Sequence, residues 1–358
     1  MRVHNFNAGP AVLPLPVLQQ VQQELVELPD AGLSILEMSH RAKSFDFHLD
    51  RAENGLRRLL GLSDDFAVLF LGGGASLQFS MAPMNLLTNG VRADYIVHGS
   101  WGVKALKEAQ KEGEARLAAS TKDAGYRRVP RPDEMTLDAG AKYVHFTSNE
   151  TIEGVQWPRE PQTGNVPLVC DASSDILSRP IDVQKYGLIY AGAQKNIGPS
   201  GVTIVIIKRD WIEPRPDLPT MLCYATHAKE RSLYNTPNTF GIYMVGLVCE
   251  WIENLGGLEG MARRNEEKAN LLYQIIDASD FYRGFAERES RSKMNVTFRL
   301  PSEELESKFA AQAQKAGMIG LKGHRSVGGL RASLYNALEL DSVRFLVDFM
   351  RDFERENG

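Results

Sequence analysis

The chain has 358 residues, 43% hydrophobic and 24% charged, with a net charge of -4 and a pI near 6.0. That length suits two domains rather than one, and the charge balance leaves no basic footprint for nucleic acid. Three widely spaced cysteines, Cys170, Cys223 and Cys249, form neither a zinc pattern nor a paired framework, and no run reaches about 18 unbroken apolar residues. A cytoplasmic protein with reduced thiols, no metal, and no nucleic-acid or membrane partner is therefore the expectation.

Taken in order, "PVLQQVQQELVEL" spaces Val17, Leu18, Val21, Leu25 and Leu28 as one face of a helix. "FAVLFL" (66–71) is a short apolar strand that runs into Gly72-Gly73-Gly74, and "ASLQFSMAPMNLL" then reads as a helix. Further strands are predicted at "DYIVHG", "YVHFTS", "PLVCDAS", "GLIYAGA" and "VTIVIIK", with helical patterns such as "WGVKALKEAQKEG" between them. Strands alternating with helices predict an α/β fold with a mainly parallel, covered sheet. A long helical run then leads from Phe240 to Gly256-Gly257, a plausible hinge. Beyond it, strands "MNVTFRL" and "GGLRASLYNA" with helices "SEELESKFAAQAQKAG" and "DSVRFLVDFMRDFE" predict a smaller α+β domain. The expected division is 16–255 for the large domain and 256–358 for the small one, with 1–15 packing nearby.

Ligands of parallel sheets collect beyond the carboxyl ends of the strands. That rule singles out 72–76, 147–151, 171–174 and 193–201. The glycine run, at a strand-to-helix transition, is either a tight turn or a cup of backbone N–H groups for a phosphate. Asp171 ends a strand and is either a helix N-cap or a carboxylate that keeps a heterocyclic nitrogen protonated. Trp101 opens a helix and is either core or a stacking face for a ring. Lys195, framed by Gln194 and Asn196 in a turn of small residues, has the setting of a desolvated lysine that attacks carbonyls. Together these four features match what pyridoxal phosphate requires.

Longer motifs carry a family resemblance. "AGAQKNIGPSGVTIVI", "DASSDILSRPIDVQKYG", "SHRAKSF", "NETIEG", "NTPNTF" and "KGHRSVGGLRASLYNA" resemble the phosphoserine aminotransferases. These form part of the class V branch of fold-type I, pyridoxal-phosphate-dependent transaminases. The likeness runs from "NFNAGPAVLP" to "FMRDFE".

The resemblance implies that Lys195 holds the cofactor and shuttles the substrate proton, that Asp171 pairs with the pyridine nitrogen, and that Trp101 stacks on the ring. Gly74, Ala75 and Gln194 would bind the cofactor phosphate, and Thr151 would touch the phenolic oxygen. Asn235 and Thr236 would reach the phosphate of a neighbouring subunit, which makes the expected assembly a homodimer. Arg331 would hold the substrate α-carboxylate through a bidentate fork. His40, Arg41, His324 and Arg325 would form the distal pocket for L-glutamate or a phosphorylated amino or oxo acid.

Two positions depart from the family pattern. The glycine loop reads "GGGASLQF" where some members carry arginine, and Ala8 stands where others have serine. A cysteine desulfurase of the same fold needs a mobile nucleophilic cysteine, and none of the three looks poised. A degenerate scaffold without catalysis conflicts with the retained Lys, Asp, Trp and Arg set. A Rossmann dehydrogenase lacks its glycine spacing.

Overall fold

The computed structural model describes residues 2–29, 31–88 and 90–358. Its strands are β1 (His4–Asn5), β2 (Phe66–Leu71), β3 (Arg92–Val97), β4 (Glu114–Ser120), β5 (Val144–Thr147), β6 (Asn149–Glu150), β7 (Val155–Gln156), β8 (Leu168–Asp171), β9 (Tyr186–Gly192), β10 (Thr203–Lys208), β11 (Arg283–Gly284), β12 (Asn295–Arg299), β13 (Met318–Ile319) and β14 (Leu330–Ser333). The helices are α1 (Leu15–Glu24), α2 (Lys43–Leu60), α3 (Gly74–Leu86), α4 (Ser100–Glu112), α5 (Tyr224–Lys229), α6 (Thr239–Asn254), α7 (Gly257–Asp277), α8 (Glu303–Lys315) and α9 (Leu340–Asn357).

Seven strands form one sheet in the order β2-β10-β9-β8-β5-β3-β4. β10 runs antiparallel to β2 and β9, and the other four pairings are parallel. The apolar runs predict this covered sheet because alternate residues serve opposite faces. In β2, Phe66, Val68 and Phe70 join the core that includes α2 and α6. Ala67, Leu69 and Leu71 join the core that includes α3 and α4. The α2–α6 crossing is close: a Cβ on Gly55 would stand 2.6 Å from the Cys249 Cβ. Cys249 is thus a packing residue, buried where two helices nearly touch.

The sequence reading needs three corrections. The first helix stops at Glu24, leaving Leu25 exposed and placing buried Leu28 in the following loop. Pro29 disfavours helical geometry in the residue before it, so the periodic pattern outruns the helix. α2 and α7 are helices beyond those expected above, and Phe45, Leu49, Ala52, Leu56 and Leu60 line one buried face of α2. Edge strand β4 is likewise additional, because "EARLAAS" carries small and charged residues rather than a β-branched run.

A further core gathers the three-stranded antiparallel sheet β11-β12-β14 under α7, α8 and α9. β1 pairs in parallel with β13, and Phe6 enters the same core. Buried polar groups tie this part to β6 and brace it internally. Asn149 Nδ2 donates to Asn295 Oδ1 at 2.8 Å, and Asn295 Nδ2 donates to Ser333 Oγ at 2.9 Å. The ammonium of Lys268, on α7, donates to the carbonyls of Leu334 and Tyr335 at 2.8 and 2.7 Å. Among the described residues, no helix is long and apolar enough to cross a membrane.

Candidate active site

The carboxyl ends of β2, β9, β8, β5 and β3 deliver, in spatial order, the glycine loop, Lys195, Asp171, the 148–151 segment and Trp101. Only β10 separates β2 from β9, so the glycine loop and Lys195 start about 10 Å apart, two strand spacings.

Lys195 lies in the turn after β9, which closes through Ile197 and Gly198 N–H groups on the Ala193 carbonyl. Asn196 anchors that turn. Its Nδ2 donates to the Ile176 carbonyl at 3.1 Å, and its Oδ1 accepts the Asn336 N–H at 3.0 Å. Gln194 accepts the Ala11 N–H through its backbone carbonyl at 2.8 Å, so the N-terminal loop lies against the same turn. Lys195 Nζ donates to Thr151 Oγ1 at 2.8 Å and sits 5.7 Å from the Trp101 ring centroid. Burial lowers its pKa to about 8, and the Asp171 and Glu150 carboxylates oppose that fall.

Asp171 is buried at the end of β8, and no helix follows it, so it is not an N-cap. Its Oδ1 accepts the Ser173 N–H at 3.0 Å and the Ser173 hydroxyl at 2.6 Å. Its Oδ2 accepts no hydrogen bond among the described residues, which leaves one oxygen available to a ligand. Burial raises its pKa, while the Lys195 ammonium and the Ser173 bonds hold it down.

Trp101 is the second residue of α4, half-buried, with its ring 6.4 Å from that of Phe79. The free N–H groups of α4 are taken by two buried glutamates that sequence reasoning missed. Glu150 accepts from Trp101 and Gly102 at 3.0 and 2.8 Å, and Glu153 accepts from the Ser100 N–H at 3.0 Å. The signal was a helix opening "GSWG" without a capping side chain of its own, together with carboxylates three apart in "NETIEG". Burial and mutual repulsion push the Glu150 carboxyl well up.

Gly73 adopts φ 85 at the start of α3, a left-handed conformation open to glycine at little cost. The first N–H groups of α3, from Gly74 and Ala75 onward, have no helical acceptor and no side-chain cap. They form the positive end of a helix dipole facing the sheet edge.

Arg331, in β14, donates through Nη1 to the Thr151 carbonyl at 3.1 Å, while its buried Nε has no partner among the described residues. Thr151 thus bonds to both Lys195 and Arg331. His324 and Arg325 sit in the loop before β14, with His324 Nδ1 2.7 Å from Ser326 Oγ. Burial and the charges of Arg331, Arg325 and Lys104 lower the His324 pKa, so these groups share one region. The remaining candidates make no hydrogen bond to these groups among the described residues. Arg41 is exposed, and His40 lies beside it in the turn before α2. Asn235 and Thr236 are exposed beside Gly72 and Leu71, in a cleft that also includes Gly201 and His227.

All three cysteines are buried. Burial pushes the thiols of Cys170 and Cys249 well up. Neither has the exposure or thiolate character that a sulfur-transferring nucleophile needs.

The family model of class-V aminotransferases matches residues 3–346. A phosphoserine aminotransferase from Desulfatibacillum aliphaticivorans is 56% identical over 360 residues, covering 100% of this chain and 99% of that protein. The solved structure of phosphoserine aminotransferase from Bacillus circulans subsp. alkalophilus superposes with a TM-score of 0.98 at 53% identity, covering 100% of this chain and 99% of that one. A PLP-bound phosphoserine aminotransferase from Trichomonas vaginalis superposes with a TM-score of 0.94 at 37% identity, covering 98% and 100%. The chain belongs to the class-V aminotransferases and, within them, to the phosphoserine aminotransferase family.

Proposed function

We propose that this chain transfers the amino group of L-glutamate to 3-phosphohydroxypyruvate, giving 2-oxoglutarate and O-phospho-L-serine, with pyridoxal phosphate as its cofactor. The observation that carries the reading is Thr151: its hydroxyl accepts from Lys195 and its carbonyl accepts from Arg331. One residue therefore links the cofactor lysine to the arginine for the substrate carboxylate.

The residues present fit this cofactor. Asp171 Oδ2 is open to a protonated ring nitrogen, and the Trp101 ring lies beside the Lys195 ammonium. The α3 N–H groups of Gly74 and Ala75, with Gln194, offer donors to its phosphate. Thr151 Oγ1 offers a hydroxyl to its phenolic oxygen. When bound, pyridoxal phosphate supplies a carbonyl for amine exchange and an electron sink that acidifies the substrate Cα–H.

The chain's own groups do the rest. Lys195, with its pKa near 8, is on the order of a tenth neutral amine at pH 7, far more than an exposed lysine. Once released, it takes the proton from substrate Cα and returns it on the cofactor side. Asp171 retains its charge beside the ring nitrogen through its Ser173 bonds. Arg331 fixes the α-carboxylate, and so aligns the Cα–H bond with Lys195. His40, Arg41, His324 and Arg325 receive the distal anion of either substrate.

Asn235 and Thr236, which are exposed, complete the phosphate site of a neighbouring subunit, which makes the working enzyme a homodimer. Residues 16–255 form its cofactor domain and 256–358 its substrate domain, in a cytoplasmic protein. The same distal cations suit 4-phosphohydroxy-L-threonine, a slightly longer phosphorylated substrate in pyridoxine biosynthesis.

A visible spectrum tests the proposal. L-glutamate should bleach the absorption of lysine-bound cofactor, and 3-phosphohydroxypyruvate should restore it. Bleaching by glutamate with restoration only by unphosphorylated oxo acids would overturn the substrate assignment.

A further inference from the structure

We propose that Lys104 is a specificity-determining cation of the substrate pocket, selecting substrates that carry a phosphate monoester. This rests on the aminotransferase reading above and names a residue for its distal site.

Lys104 lies one turn beyond Trp101 in α4, and its side chain folds back over the Trp101 ring, with Nζ 4.1 Å from the centroid. Lys195 Nζ is 5.7 Å from the same centroid, so the two ammonium groups are no more than about 10 Å apart. The substrate amine replaces Lys195 on the cofactor, so this distance bounds how far a substrate must reach. In O-phosphoserine, three single bonds of ~1.5 Å separate Cα from phosphorus. A cation that pairs with the phosphate therefore stands about 8 Å from the amine, within that bound.

Charge bookkeeping points the same way. Lys104 is exposed and takes part in no ion pair or hydrogen bond among the described residues, whereas Lys111 on the same helix pairs with Glu108 at 2.6 Å. Across the pocket, Lys104, Arg325 and Arg331 all act electrostatically on His324. Glu153 is the carboxylate that stabilises Arg331. Cations grouped in this way attract an anion, and a dianionic ligand is held more strongly than a monoanionic one. The glycine loop, 72–76, contributes no side-chain cation, so Lys104 is the positive group that the cofactor side of the pocket brings to the distal anion.

Lys104→Met keeps an unbranched stem over Trp101 and removes the charge. The two half-reactions are measured separately, together with spectral titrations of O-phospho-L-serine and L-serine. The expected result is a rise of about tenfold in KM for 3-phosphohydroxypyruvate and in Kd for O-phospho-L-serine. The Kd for L-serine should stay within about twofold, the rise for L-glutamate should be smaller, and Lys104→Arg should recover most of the loss. Equal losses in both half-reactions would show that Lys104 merely supports Trp101, and unchanged constants would show a solvent lysine. Either result overturns the proposal. A wild-type protein that ignores phosphorylated substrates would instead refute the functional reading itself.

Discussion

Covalent capture of pyridoxal phosphate by Lys195 should titrate near pH 8. Only the neutral amine attacks a carbonyl, and burial lowers the Lys195 pKa to about 8 from an ordinary 10.5. At pH 7 about 9% of such an amine is neutral, against about 0.03% for an exposed lysine. Protonation state alone therefore accelerates capture by roughly 300-fold. The assay mixes apoprotein with pyridoxal phosphate in a stopped-flow instrument between pH 6.5 and 10 and follows visible absorption. A blocked lysine provides the correction for the aldehyde's own titration. The rate should rise about tenfold per pH unit below 8 and level off above it. Asp171→Asn supplies a second arm. The Asp171 carboxylate raises the proton affinity of Lys195, so removing its charge should move the midpoint to lower pH. A midpoint near 10 in the wild type would falsify the desolvation argument, and an upward shift in the variant would show that Asp171 is not the opposing charge.

Two further outcomes follow from groups that the sequence did not announce. Glu150→Ala removes two buried hydrogen bonds to the Trp101 and Gly102 N–H groups and should cost on the order of 2 kcal/mol in urea unfolding. Loss of Trp101 near-UV dichroism should accompany it, with Glu150→Gln intermediate; a variant that matches wild type in both readouts would refute the capping role. Lys268 is buried with a pKa lowered to about 7 by desolvation, with Arg264 acting in the same sense and Glu339 against it. The unfolded chain therefore binds more protons than the folded one between pH 7 and 10.5, and stability rises with pH across that window. Wild type should gain on the order of 2 kcal/mol over Lys268→Met between pH 6.5 and 9, and a pH-independent difference in urea midpoints would refute the assignment.

The fold class and the edge of the sheet at which chemistry gathers are both legible in the residue pattern. Apolar runs such as 66–71 and 203–207 are covered on both faces, so their composition alone marks them as strands of a buried sheet. Where those runs stop, residues with chemistry begin, which is how Lys195, Asp171 and the glycine loop were legible without a structure. Trp101 was legible as the opening of a helix, because amphipathic periodicity starts at that point. These are local signals, written within a few residues of the groups concerned.

What each candidate touches is set by packing between distant elements. Asp171 divides its oxygens between Ser173 and open space, and Thr151 bonds at once to Lys195 and Arg331, 180 positions away from it. Glu150 and Glu153 cap a helix that begins about fifty residues before them, through bonds recorded at separations of 49 and 53. Lys268 looks like any lysine on an amphipathic helix until the 334–336 carbonyls close around its ammonium. The exposure of Asn235, Thr236 and Arg41 is likewise a fact of packing. Periodicity reports how a residue meets its own element, whereas these contacts join elements distant in sequence, and their partners are chosen by the way helices and sheets pack.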